Sequence, residues 1–388
     1  MHLKAKNRTR DAFILLGSTL SVLAGAAISP SLPGMSRHFA NVPDIEFLSK
    51  LMLAVPPLFI ALFSPFAGYL IERTGRKVVI TLSIILFGIS GCAGYFIDNP
   101  YFLLLSRAFV GITVSGIMTG FIVLIGDLFQ SDKRSRFMGV QGGLMSASGV
   151  VYLLVGGILA EKKWNLPFLI FGFAFFILFG ILVSIRRTKN LAGNNNNLEK
   201  IKFNSNLIRI YLMAFLVMVL FLMVPTQLPF LLAKNGIQPS MVGLTLAIWI
   251  LCSSIASMFY KVYRQKFSIG SIYTIGFIIW FIGYIGISLS YSFWMINLSL
   301  IFAGFGNGMI QPNLKIELLD YAPEHGRGRL TGFLTTSLYA GQFLSPIILE
   351  PFIRLIGLNH TFLLASFFIF LLVITVTFLY KKKFHYHS

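Results

Sequence analysis

The chain has 388 residues, 56% of them hydrophobic and only 12% charged, with a mean hydropathy of +0.79. A water-soluble protein carries about a quarter charged residues, so a soluble globular domain is excluded and most of the surface must face lipid or other apolar helices. The net charge of +19 would suggest nucleic acid in a soluble protein, but the basic residues sit in short loops between apolar runs, which excludes that partner.

From the N-terminus, Lys4, Lys6, Arg8 and Arg10 precede an apolar run in which Ala24-Gly25-Ala26 imitates a signal cleavage site. The run continues to Pro30, so it is expected to be a retained first span. A bilayer core needs roughly 20 apolar residues per helix. Twelve runs qualify: 11–33, 46–70, 77–97, 101–126, 137–160, 166–186, 207–232, 241–262, 269–289, 292–315, 328–352 and 359–380. The expected fold class is therefore all-α and polytopic, with twelve transmembrane helices. Placing both termini inside puts 25 of the 32 Lys and Arg residues in inner loops or at inner span ends and six on the outer side, and leaves Arg107 as the one set deeper within a span. That asymmetry predicts cytoplasmic N- and C-termini in the cell inner membrane. Cys92 and Cys252 fall inside apolar runs and read as packing residues, not as a disulfide or metal site.

The segment 187–206, with its Asn194–Asn197 run, is the only long polar connection and reads as a cytoplasmic linker between halves 1–186 and 207–388. A repeat joins the halves. Phe109, Gly111, Asp127, Arg134, Arg136 and Gly139 recur as Phe302, Gly304, Asp320, Arg327, Arg329 and Gly332, always 193 residues later. The loops after spans 4 and 10 both face the cytoplasm, so the halves are parallel repeats.

Three patches then carry a family resemblance. Gly68-Tyr-Leu70-Ile-Glu72-Arg73-Thr-Gly75-Arg76-Lys77 resembles the major facilitator superfamily signature G-x-L-x-D-R-x-G-R-K, with Glu72 for the usual Asp. Arg107-Ala-Phe-Val-Gly111 is similar to the family's R-x-x-x-G, and Pro30-Ser-Leu-Pro33 to the P-x-L-P of the twelve-helix drug:proton antiporters. The span-5 element G-P-x-x-G-G survives only as Gly156-Gly157 without its Pro, and the second-half loop 261–267 lacks the signature glycines and acid. The resemblance implies the facilitator fold, a monomer driven by the proton gradient without a cofactor, and a charge relay of Glu72, Arg76 and Asp127. Gly68 is expected to allow close packing of spans 2 and 11, and Gly75 a tight turn. The group containing Gly68, Glu72, Arg73, Gly75, Arg76 and Asp127 is expected to latch the inner side in one conformation.

Arg107 lies about six residues in from the outer end of span 4, roughly 9 Å along the helix, and is expected to bind an acidic group or couple protons rather than snorkel. No acid falls mid-span. Asp11 stands at the inner mouth of span 1 and Glu350 near the outer end of span 11. Proton coupling would use one of these, or Arg107 with water, or be absent. Tyr152, Gln227, Trp249, Asn307, Gln311, Asn313 and Gln342 are candidates for a cavity lining, with broken or bending helices expected at Pro225–Pro229 and before Pro312. The expected function is efflux of a small organic solute across the bilayer by proton antiport. The alternative is proton-coupled transport, inward or outward, of a specific anionic or zwitterionic metabolite such as a siderophore. A membrane-embedded enzyme is the remote alternative, since the spans hold no metal-type spacing or acid pair and no His apart from His360 at the very start of the last.

Overall fold

The computed structural model describes residues 2–129, 131–184, 205–290, 292–321 and 327–384. Among them no strand occurs. The helices are α1 (His2–Ser18), α2 (Leu20–Ala26), α3 (Leu32–His38), α4 (Ile45–Thr74), α5 (Arg76–Phe96), α6 (Pro100–Leu128), α7 (Ser131–Lys162) and α8 (Phe173–Ser184). They continue as α9 (Ser205–Lys234), α10 (Pro239–Met258), α11 (Tyr260–Lys266), α12 (Ile269–Leu289), α13 (Phe293–Tyr321) and α14 (Arg327–Phe384).

Eleven helical stretches among the described residues are long and apolar enough to cross a membrane. The last of these, Leu330–Tyr380, holds 51 residues and contains Gly357 at φ 78°, ψ 169°. A left-handed residue cannot sit inside a helix, so the stretch is two spans joined there and the total is twelve. Span 1 is likewise segmented: α1 and α2 lead into a 3-10 turn at Ser29–Ser31, where Pro30 and then Pro33 start new turns. Proline elsewhere does not break helices. Pro225 and Pro229 lie inside a continuous α9, and Pro312 inside a continuous α13, so of the expected breaks or bends no break occurs there.

The chain divides into two compact units, residues 1–200 with 238–243 and residues 201–237 with 244–388. The linker 187–206 falls almost wholly outside the described residues.

Each unit packs its helices around the same contact. In the first, a Cβ placed on Gly111 of α6 would stand 2.5 Å from the Pro56 carbonyl oxygen and 2.8 Å from Phe59 Cβ, both on α4. In the second, a Cβ on Gly304 of α13 would stand 2.6 Å from the Trp249 carbonyl oxygen and 3.0 Å from Cys252 Cβ, both on α10. Glycine, carbonyl and Cβ partner are each displaced by 193 residues, so the sequence repeat is also a repeat of packing. Only a residue without a side chain lets the two backbones approach this closely. Elsewhere the small-residue face of α5 takes rings: Gly88, Gly91 and Gly94 lie under Phe175, Phe171 and Phe168.

Candidate functional site

The first candidate is the turn between α4 and α5. Helix α4 ends at Thr74, Gly75 takes φ 91° and ψ 151°, and α5 starts at once with Arg76. That φ is strained for any residue with a side chain, so the signature glycine sets the turn. The turn aims Arg76 Nη1 at Asp127 Oδ2 at the end of α6, and the two form an ion pair whose side chains are 11% and 23% exposed. Arg134 approaches the same end of α6, its Cζ 3.7 Å from the place a Cβ on Gly126 would occupy. Arg73 turns elsewhere and lies over the Tyr69 ring at 4.9 Å. Glu72 is exposed on the last turn of α4. A Cβ on Gly68 would meet nothing within 4 Å.

Arg107 is fully buried, which excludes snorkelling. Its Nη2 donates to the carbonyl oxygens of Ser90 and Gly91 at 3.3 Å each, and its Nε and Nη2 approach Ser106 Oγ. The guanidinium lies between the rings of Phe168 and Phe171, 5.0 and 4.9 Å from their centroids. Nη1 has no partner. The group therefore ties α6 to α5 and to the 3-10 segment Leu166–Gly172, and it faces carbonyls and rings where an acidic ligand was expected. Lys50 is a second fully buried cation, missed because it was counted with the outer loop; it pairs with Glu46 at 2.9 Å.

The remaining acids stand apart. Asp11 pairs with its neighbour Arg10 at 2.8 Å, and Glu350 with Arg354 one helical turn on at 3.0 Å. Tyr152, also in the first unit, shares a hydrogen bond of 2.8 Å with Thr19 Oγ1.

In the second unit four helices supply a polar strip. Asn307 Nδ2 donates to Ser253 Oγ at 2.9 Å, and Gln311 Nε2 donates to Asn307 Oδ1 at 3.3 Å. Gln342 Nε2 reaches Met218 Sδ at 3.3 Å, and Gln311 reaches the same sulfur at 3.9 Å. Two of the cavity candidates, Gln311 and Gln342, thus converge on the thioether of Met218 of α9, and Asn307 joins them through Gln311. Gln311 and Gln342 are half-buried, and the strip carries amides, a hydroxyl and a sulfur but no charge. Asn313 belongs elsewhere, accepting from Tyr260 Oη at 2.7 Å and donating to the Ile269 carbonyl at 3.0 Å. Burial pushes the Tyr260 phenol above its ordinary range, opposed by Arg264. Gln227 and Trp249 are buried with side-chain polar atoms unpaired: both amide atoms of Gln227 and Nε1 of Trp249. An apolar groove of about 840 Å³ between α12 and α14, lined by Phe281, Ile285, Leu363 and Phe367 among others, holds none of these polar groups.

Sequence reasoning missed one buried acid, Glu317, near the C-terminal end of the tenth span. The tenth span does not stop at 315 but continues as α13 to Tyr321, and Glu317 is 2% exposed inside it. Its Oε1 accepts from Arg209 Nη2 of α9 at 2.7 Å and from Tyr380 Oη of α14, and its Oε2 accepts from Tyr273 Oη of α12 at 2.9 Å. The repeat residue Asp320, one turn further on, is exposed, and the side chains of Arg327 and Arg329 lie outside the described residues.

The family model "Major Facilitator Superfamily" matches residues 14–233 and again residues 210–387. The tetracycline resistance protein, class B, of Escherichia coli is 25% identical over 368 residues, which cover 88% of this chain and 87% of that protein. Multidrug resistance protein 1 of Bacillus subtilis is 29% identical over 161 residues, 40% of this chain and 41% of that one. Among solved structures, a bacterial homolog of the human lysosomal transporter Spinster, inward-facing and occupied, superposes with a TM-score of 0.81 at 16% identity over 96% of both chains.

Proposed function

The chain belongs to the Major Facilitator Superfamily, a multi-pass membrane transporter family, and from that premise we propose that it exports a small organic solute by proton antiport. It works as a monomer, by alternating access, in the inner membrane, with both termini cytoplasmic. The observation that carries the reading is the Arg76–Asp127 pair beside the left-handed Gly75, a contact that one backbone geometry makes and a modest rotation of α5 would break. A bistable contact of this kind at the end of a bundle is what alternating access needs. Export is favoured over import by the likeness, across most of the chain, to a tetracycline resistance protein.

The solute we infer is neutral or zwitterionic. The strip of Asn307, Gln311, Gln342, Ser253 and Met218 offers donors, acceptors and a polarisable sulfur, and no carboxylate to hold a cation. Inverted membrane vesicles with an imposed pH gradient test both parts together. Export by antiport requires solute accumulation that collapses with the gradient. Accumulation unaffected by dissipating the gradient refutes antiport, and gradient-driven movement in the opposite sense refutes export.

A further inference from the structure

We propose that Glu317 is a proton-controlled clasp on α9: ionised, it holds the start of that helix through Arg209; protonated, it releases Arg209 while staying tied to α12 and α14. The role in transport rests on the proton-coupled reading above; the clasp itself does not.

The argument is one of donors and acceptors. Glu317 is buried, so its oxygens must keep partners in either protonation state. An ionised carboxylate only accepts, and it is met by three donors: Arg209, Tyr273 and Tyr380. These partners differ in what else they can do. A guanidinium only donates and keeps its charge, whereas a phenol hydroxyl both donates and accepts. When a proton from water binds one carboxyl oxygen, that O–H can donate to one tyrosine, whose hydroxyl rotates to accept it. The second tyrosine continues to donate to the other oxygen. Arg209 has no such adjustment. The cluster passes from net neutral to a single uncompensated positive charge, which is costly away from water. Arg209 has a way out, because its side chain is 20% exposed while that of Glu317 is 3% exposed. Its guanidinium also lies 4.7 Å from the Tyr380 ring, a face it can slide along.

The other groups near Glu317 do not replace Arg209. From α11, Tyr260 is committed to Asn313. On α13 itself, Lys315 and Asp320 are exposed. Release matters because α9 also brings Met218 to the polar strip, so a proton on Glu317 loosens a helix that lines the proposed solute site.

The experiment uses the full chain in lipid nanodiscs with Cys92→Ser and Cys252→Ser. A nitroxide is placed at Ile208→Cys, a position 58% exposed on α9 beside Arg209. Label mobility is recorded from about pH 8 to about pH 3.5, a window that takes in the ordinary glutamate titration near about 4.3. No solute and no gradient are present. The expected result is a label that is restricted at the high end and mobile at the low end, with Glu317→Gln and Arg209→Met mobile throughout. In parallel, the infrared C=O absorption of a protonated carboxyl should grow as pH falls and be missing in Glu317→Gln. A label indifferent to pH in the parent background overturns the clasp, as does an undiminished pH response in Glu317→Gln. Should Glu317→Gln not give a monodisperse protein, Arg209→Met decides: a label still restricted at the high end overturns it. A parent protein that moves no solute under a pH gradient would refute antiport and leave the label's response untouched, so the two failures are distinguishable.

Discussion

Gly111→Ala tests the packing on which the fold assignment depends. A methyl group there would sit 2.5 Å from the Pro56 carbonyl oxygen, 2.8 Å from Phe59 Cβ and 2.9 Å from the Pro56 Cα. Two of these neighbours are backbone and the third is a Cβ, so no side chain can swing aside; α4 and α6 must separate by several tenths of an ångström. Overpacking of this kind costs about 1–3 kcal/mol, while alanine returns up to about 1 kcal/mol over glycine in a helix interior. The net effect is a loss of about 1–2 kcal/mol. Gly304→Ala meets the Trp249 carbonyl at 2.6 Å and should lose a similar amount. Gly139→Ala meets nothing within 4 Å and should gain about 0.5–1 kcal/mol from helix propensity alone. With about 2–4 °C per kcal/mol for a unit of this size, the two classes should separate by roughly 3–12 °C in a thermal unfolding assay on purified protein. Indistinguishable midpoints for Gly111→Ala and Gly139→Ala would refute the close-approach argument, and a loss at one of Gly111 and Gly304 without the other would refute the repeat of packing.

Arg107→Lys retains the charge but neither the fork across the Ser90 and Gly91 carbonyls nor the flat fit between Phe168 and Phe171; it should destabilise by about 2–4 kcal/mol, and solute affinity measured on the folded fraction should be unchanged. Lost affinity at full stability would restore it to the solute site. Arg76→Ala should abolish most transport in vesicles while membrane insertion and expression stay at parental levels, and equal transport would dismiss the Arg76–Asp127 contact as a moving part. Gln227→Leu removes two unpaired buried amide atoms and should be neutral or stabilising by about 1–2 kcal/mol; if it instead ends transport without loss of stability, those atoms serve the solute. Gln311→Leu and Gln342→Leu should each weaken solute binding in an equilibrium assay roughly tenfold, the worth of one neutral hydrogen bond near 1.4 kcal/mol.

Spans were legible because hydrocarbon tolerates no unsatisfied backbone, which forces long apolar runs that any reader can count. Gly75 and Gly111 were legible because backbone requirements map one-to-one onto residue type. Side-chain partners were not. Arg107 looked like a ligand because a charge within a span is costly, but the sequence did not reveal that two backbone carbonyls and two rings answer it. Nor did proline spacing reveal that α9 and α13 run on without a break. Glu317 was missed for a geometric reason: hydropathy fell at Lys315 and closed the span there, while the helix, and the burial, continued for another turn.

That extra turn explains how the second half does without its signature loop. In the first half, Asp127 ends α6 and is answered by Arg76 from the next inner turn, a pair still open to water. The repeat offset of 193 carries Asp127 to Asp320 but carries Arg76 to Ile269, so the duplicated acid, which is exposed, has no counterpart of Arg76. Three residues earlier, and so on nearly the same helix face one turn deeper, stands Glu317. Its cation comes from α9 instead, and two tyrosines supply the donors that the greater burial demands. The two halves therefore hold equivalent helix ends with pairs of different exposure. A water-accessible pair exchanges partners readily, whereas a buried one breaks only if its charge is removed. With the proposed clasp, the first half's pair answers to motion and the second half's to protons, as the proposed antiport requires.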